Sequence, residues 1–137
     1  SLFSNTDGNS NIALGYYALL QNTIGTGNVA LGNSALGLNE TGYHNIAIGT
    51  NALFRSPQVS GLIAIGYDVL AYNDTGEKNV GIGHQTLSSN TSGSWNTAVG
   101  YNSLFNNTIG WGNSTLGFNS LNNNEDGFDN VAIGNNA

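Results

Sequence analysis

A parallel β-solenoid of eight 17-residue coils is the all-β fold this sequence predicts. Glycine recurs at Gly15, Gly32, Gly49, Gly66, Gly83, Gly100, Gly117 and Gly134, an unvarying interval of 17. Each of these glycines closes a phrase, Asn-x-small-x-Gly, in which large apolar and small residues alternate with the period of a strand. The chain also holds 20 Gly and 24 Asn against one Pro, a composition that separates short strands by turns. A repeat this short cannot bury its own apolar side. Stacked copies can, when each strand pairs with its equivalent one coil along.

The strand comes first in each repeat. Ile12 and Leu14, Val29 and Leu31, Ile46 and Ile48, Ile63 and Ile65, and Val80 and Ile82 point to one face. Ala13, Ala30, Ala47, Ala64, Gly81, Ala98, Thr115 and Ala132 point to the other. Apolar residues on both faces predict burial of both. The large side chains are expected to fill the interior. The flat alanine face is then expected to run along the outside, covered by a neighbouring subunit of a symmetric homo-oligomer. Leu2, Leu19, Leu36, Leu53, Leu70, Leu87, Leu104 and Leu121 each stand four residues past the glycine position, and predict a second short strand beyond a bend.

The rest of each repeat is turn. Gly8, Gly25, Gly42, Gly76, Gly93, Gly110 and Gly127 form a second glycine column that only Val59 interrupts. Two asparagine columns accompany them: Asn11, Asn28, Asn45, Asn79, Asn96, Asn113 and Asn130, and Asn5, Asn22, Asn39, Asn73, Asn90, Asn107 and Asn124. These are either amide ladders along the stack or turn residues selected for backbone conformation. At about 4.8 Å per strand, eight coils make a rod on the order of 38 Å long. Helical coils are excluded, because 17 residues do not hold two helices and Gly and Asn interrupt every candidate.

One repeat breaks the pattern. In residues 54–62, FRSPQVSGL, Ser56 and Leu62 replace ladder asparagines, Val59 replaces glycine, and Pro57 and Arg55 appear. This is either a drifted turn or a local protrusion that contacts a partner. Ser1 and Ala137 occupy the same phase and no capping repeat is visible, so the chain is expected to be a piece of a longer array.

Charged residues make up only 7% of the chain, and eight acids face two cations, Arg55 and Lys78. Two cations build no basic stripe, which argues against nucleic-acid partners. No apolar run approaches the ~20 residues that span a bilayer. Without cysteine there is no disulfide or thiol chemistry. His44 and His84 fall in different phases of the repeat and read as turn residues, with no nucleophile or acid at a catalytic spacing. Glu125, Asp126 and Asp129 are the best calcium candidates, but they lack the nonapeptide calcium repeat and read as solvated turn acids. No cofactor is expected, since the G-x-G stretches precede neither a helix nor a lysine. Tyr16, Tyr67, Tyr101 and Phe118 share one column; Tyr43, Trp111 and Phe128 share another, with Trp95 one place further on. Such aromatic rows either pack over turns and subunit seams or offer exposed rings to a glycan.

The phrases Asn45-Ile46-Ala47-Ile48-Gly49 and Asn96-Thr97-Ala98-Val99-Gly100 resemble the YadA-like head repeats of trimeric autotransporter adhesins. NTAVGYNSLFNNT, from Asn96, also resembles repeat regions of phage tail-fibre proteins. The resemblance implies a left-handed parallel β-roll assembled as a homotrimer, although 17 residues per coil exceed the usual adhesin-head unit. It further implies an extracellular, non-enzymatic rod on a virion or a bacterial surface, holding or presenting contacts to a host receptor or surface glycan, with no membrane insertion by this segment. Two other functions have weaker support. An ice-binding solenoid needs a regular threonine row, and the best column runs Thr6, Thr23, Glu40, Pro57, Asp74, Thr91, Thr108, Glu125. A polysaccharide-active β-helix enzyme needs acids or arginines gathered in a groove on longer, irregular coils.

Overall fold

The computed structural model describes residues 1–137 and contains one three-residue strand per repeat: β1 (Ile12–Leu14), β2 (Val29–Leu31), β3 (Ile46–Ile48), β4 (Ile63–Ile65), β5 (Val80–Ile82), β6 (Thr97–Val99), β7 (Ser114–Leu116) and β8 (Val131–Ile133). They form a single parallel sheet in the order β1 to β8. The register is that of the repeat, Ala30 beside Ala47 and Ala47 beside Ala64, and it persists through the irregular coil to Gly81. The molecule is thus a β-solenoid without helices.

The sheet carries only part of the stacking. Of 82 backbone–backbone hydrogen bonds, 14 lie within the strands, so the turns do most of the coil-to-coil bonding. The leucine column shows how. Leu36 N–H donates to the Ala52 carbonyl one coil along at 3.0 Å, and Leu53 N–H to Val69 at 3.0 Å. These leucines form no second strand, contrary to the expectation from sequence. All eight take φ near +50°, and the residues two before seven of them are left-handed as well, a conformation no strand tolerates. A left-handed residue costs about 1–2 kcal/mol, while full burial of a leucine returns about 1.5–3 kcal/mol. The twist turns Leu19, Leu36, Leu53, Leu70, Leu87 and Leu104 inward, where all are fully buried.

That inward row reverses the expected faces of the strand. The alanine column points into the core, with Ala30, Ala47, Ala64 and Ala98 fully buried against the leucines. The large side chains point out, and Leu14, Val131 and Ile133 are about 70% exposed. A 17-residue coil has a narrow interior. The leucines fill it from one side, so only a methyl group fits opposite. Substitutions keep that volume: where Val69 enlarges the layer, the facing strand position is Gly81, whose Cβ would come within 2.6 Å of Val69 Cγ1.

Both asparagine columns are hydrogen-bonding ladders. Asn22 Nδ2 donates to Asn5 Oδ1 at 2.8 Å and to the Gly25 carbonyl of its own turn at 3.1 Å. In the other column Asn28 N–H donates to Asn11 Oδ1 at 2.9 Å while its Nδ2 reaches the Gly42 carbonyl at 2.8 Å. None of these asparagines has a positive φ, so the side-chain amide explains the residue, not the backbone conformation. Except in the terminal coils, at Asn5, Asn11, Asn124 and Asn130, these asparagines are fully buried inside the solenoid, and their polar groups are nearly all satisfied along the axis. The second glycine column serves this ladder, because a Cβ at Gly25 would strike Asn22 Oδ1 and the Gly42 carbonyl.

The irregular repeat does not protrude. Ser56, Val59 and Leu62 are buried, and Val59 and Leu62 join the apolar core. The ladder is cut there instead. Asn39 Oδ1 and Ser56 Oγ are buried without a partner, and Leu62 has no side-chain oxygen to offer Asn79 N–H.

Candidate functional site

Three surface features follow from this backbone. The first is an aliphatic stripe formed by the outward positions of β1 to β8. Fourteen of these sixteen residues are Ile, Val or Leu, and the exceptions, Thr97 and Ser114, are neighbours in β6 and β7. The stripe runs the length of the rod because the strands stack without offset. Near its C-terminal end Val99, Leu116, Val131 and Ile133 line a shallow apolar depression of about 250 Å³.

The second feature is a set of stacked rings. Tyr67, His84, Tyr101 and Phe118 lie one above another with centroids 5.1, 4.9 and 5.4 Å apart and planes within 22° of parallel. His84 is therefore not an exposed turn residue but a member of the stack, with Nδ1 buried and unpartnered. Sequence reasoning missed it by counting only phenyl and indole rings in that column, although its phase was plain. Faces within the stack are occupied by their neighbours, so this row shows solvent mainly ring edges. At the head of the same column Tyr16 and Tyr17 pack at 3.9 Å. The hydrogen bond to Tyr17 is the main cause that raises the Tyr16 hydroxyl above the ordinary tyrosine range.

The candidate glycan-contact residues Tyr43, Trp95, Trp111 and Phe128 do not form one row. Trp111 stacks on Phe128 at 5.0 Å and 3°. Lys78 Nζ lies 5.7 Å from the Trp95 ring centre, a cation–π contact. Tyr43 meets His44 edge to face at 5.4 Å. All four remain exposed. Of the structural residues, the asparagines form the ladders described above, and the glycines from Gly15 to Gly117 take φ between +128° and +142° with each Cβ position blocked by the carbonyl of the equivalent glycine one coil along.

The third feature is charge, and both cations lie on the irregular coil and the coil after it. Arg55 Nε donates to Asp74 Oδ1 at 2.7 Å, with both side chains well exposed. Glu77 and Lys78 follow on the next coil. Glu125, Asp126 and Asp129 are exposed, and no three His, Asp or Glu side chains gather closely enough to hold a metal. No protein-family model, curated protein or solved structure matches this chain.

Proposed function

We propose that the chain is a rod segment of a homotrimeric, non-enzymatic extracellular fibre, the shaft or head of a phage tail fibre or a bacterial surface adhesin. The observation that carries this reading is the outward aliphatic stripe. A stripe of Ile, Val and Leu, unbroken at both outward positions over the first five coils and at the second position over all eight, is costly to leave in water and far more regular than scattered surface hydrophobics. Three parallel copies turning their stripes toward a shared axis would bury it along the whole rod, and cyclic closure would leave no free face to polymerise. The number three rests on the likeness of the Asn-x-Ala-[Ile/Leu/Val]-Gly phrase to trimeric adhesin heads. The turn-to-turn bonds, and the ladders on either side of the irregular coil, suit such a part, since they resist bending along the rod.

The test is the mass in solution by multi-angle light scattering. Three times 14.2 kDa is the expected result, and Ile48→Lys with Ile65→Lys, central in the stripe, should reduce it to one copy with the circular dichroism unchanged. A wild-type monomer at every concentration overturns the reading.

A further inference from the structure

The repeat is broken once, at 54–62; of the chain's two cations, Arg55 lies in that break and Lys78 on the next coil, one period after Gly61. The break also makes a recess. At this corner of the coil a bulky residue normally leans back over the coil before it: His44 covers Gly27, whose Cβ would meet the imidazole at 2.6 Å, and Asp129 covers Gly112. Lys78 is the exception, reaching forward to the Trp95 ring. A Cβ on Gly61 would therefore touch nothing within 4 Å. With His44 leaning one way and Lys78 the other, a cleft of about 250 Å³ opens over Ser60 and Gly61. Gln58 and Glu77 line both this cleft and an adjoining one of about 460 Å³ beside Arg55 and Asp74.

We propose that the cleft over Gly61 binds a neutral sugar unit of a glycan, packed on Tyr43 and hydrogen-bonded by Glu77 and Gln58. Three properties select that ligand. Tyr43 is half exposed and its one aromatic contact is His44, edge to face, so no ring is stacked on its face and an apolar sugar face can pack there. The polar wall pairs the acceptor-only carboxylate of Glu77 with the Gln58 amide, which both donates and accepts, a set that satisfies hydroxyls acting as donor and acceptor at once. Arg55 is paired with Asp74, and Glu77 offsets Lys78, so the recess has no net charge with which to select an ion. The first cleft lies just below the ~300–1,000 Å³ of drug-sized sites, room for one ring rather than a cofactor. The proposal gives the adhesive reading of the rod its ligand class and rests on that reading for its purpose. Several copies in one fibre would raise a weak contact to useful avidity.

Saturation-transfer NMR on the whole protein tests this, using the methyl glycosides of glucose, galactose, mannose and N-acetylglucosamine at up to about 50 mM, above the ~1 mM Kd expected of an open site. At least one should show transfer concentrated on the C–H groups of a single ring face. Tyr43→Ala and Glu77→Gln, both at exposed positions, should each weaken it about tenfold or more, and Trp111→Ala should leave it unchanged. No transfer from any of the four overturns the proposal. So does transfer that survives both variants, or transfer lost only in Trp111→Ala. A trimeric mass on the same samples with no sugar bound leaves the rod and removes only the site.

Discussion

At the scale of single residues, the fold is set by volumes that compensate in pairs. The residue before each leucine faces the small strand residue twelve positions later: Ala35 and Ala47, Ala52 and Ala64, Val69 and Gly81, Ser103 and Thr115. The Ser103 and Thr115 hydroxyls meet at 2.6 Å inside the core, so even the polar version of the pair is satisfied. Gly81→Ala should therefore overpack the layer and destabilise by about 1–3 kcal/mol, seen as a lower denaturation midpoint. Val69→Ala with Gly81→Ala recreates the alanine pair of the preceding coils, Ala35 with Ala47 and Ala52 with Ala64, and should recover most of that loss. A double variant no better than Gly81→Ala would mean the two positions do not share one space. This covariation was present in the sequence, but it became readable only once the alanine column was known to face inward.

At the scale of the element, each coil depends on left-handed turns held by residues other than glycine. Leu53 has φ +51° and is fully buried, and no local signal marks its conformation, since leucine is a good helix and strand former. Leu53→Ile tests the backbone apart from the hydrophobicity. Volume and apolar area are nearly kept, but a β-branched side chain in the left-handed region is strained. The loss should be about 1–3 kcal/mol, whereas Leu53→Met, unbranched, should cost less than 1.5 kcal/mol. Equal losses would show that packing alone fixes the position. The same blindness produced the expected second strand and the inverted faces: alternation located β1 to β8, but alternation of large and small does not say which face is inside. That choice belongs to the narrow interior and the leucines across it. The ladders were legible as columns, and their chemistry became clear because no ladder asparagine takes a positive φ, whereas Asn51, Asn102, Asn119 and Asn136 do.

At the scale of the molecule, the rod is a one-dimensional stack, and its weakest joint is not at its ends alone. In such a stack each coil is held by its two neighbours, so opening should begin at the termini and at any poor internal interface. The gap at the irregular coil is such an interface. The ladder from Asn5 through Asn22 ends at Asn39, whose Oδ1 is unpartnered, and resumes at Asn73. Each buried unmade bond costs about 1–3 kcal/mol, partly offset by the burial of Val59 and Leu62. Ser56 and Val59 are tied together, because the asparagine at that ladder position and any Cβ at the following glycine position would collide, as Asn39 and Gly42 show. Restoring the ladder therefore takes Ser56→Asn, Val59→Gly and Leu62→Asn at once. Native-state hydrogen exchange should find the amides of Ser56 and Asn79 less protected than those of Asn28 and Asn45, although they lie closer to the middle of the chain. The triple variant should raise that protection about tenfold or more, the factor that 1.4 kcal/mol confers, and lift the thermal midpoint with it. Protection that instead falls smoothly from the centre to both ends would mean that Val59 and Leu62 hold this joint as firmly as the amides hold the others, and the rod would then be uniform in stability despite its one break in sequence.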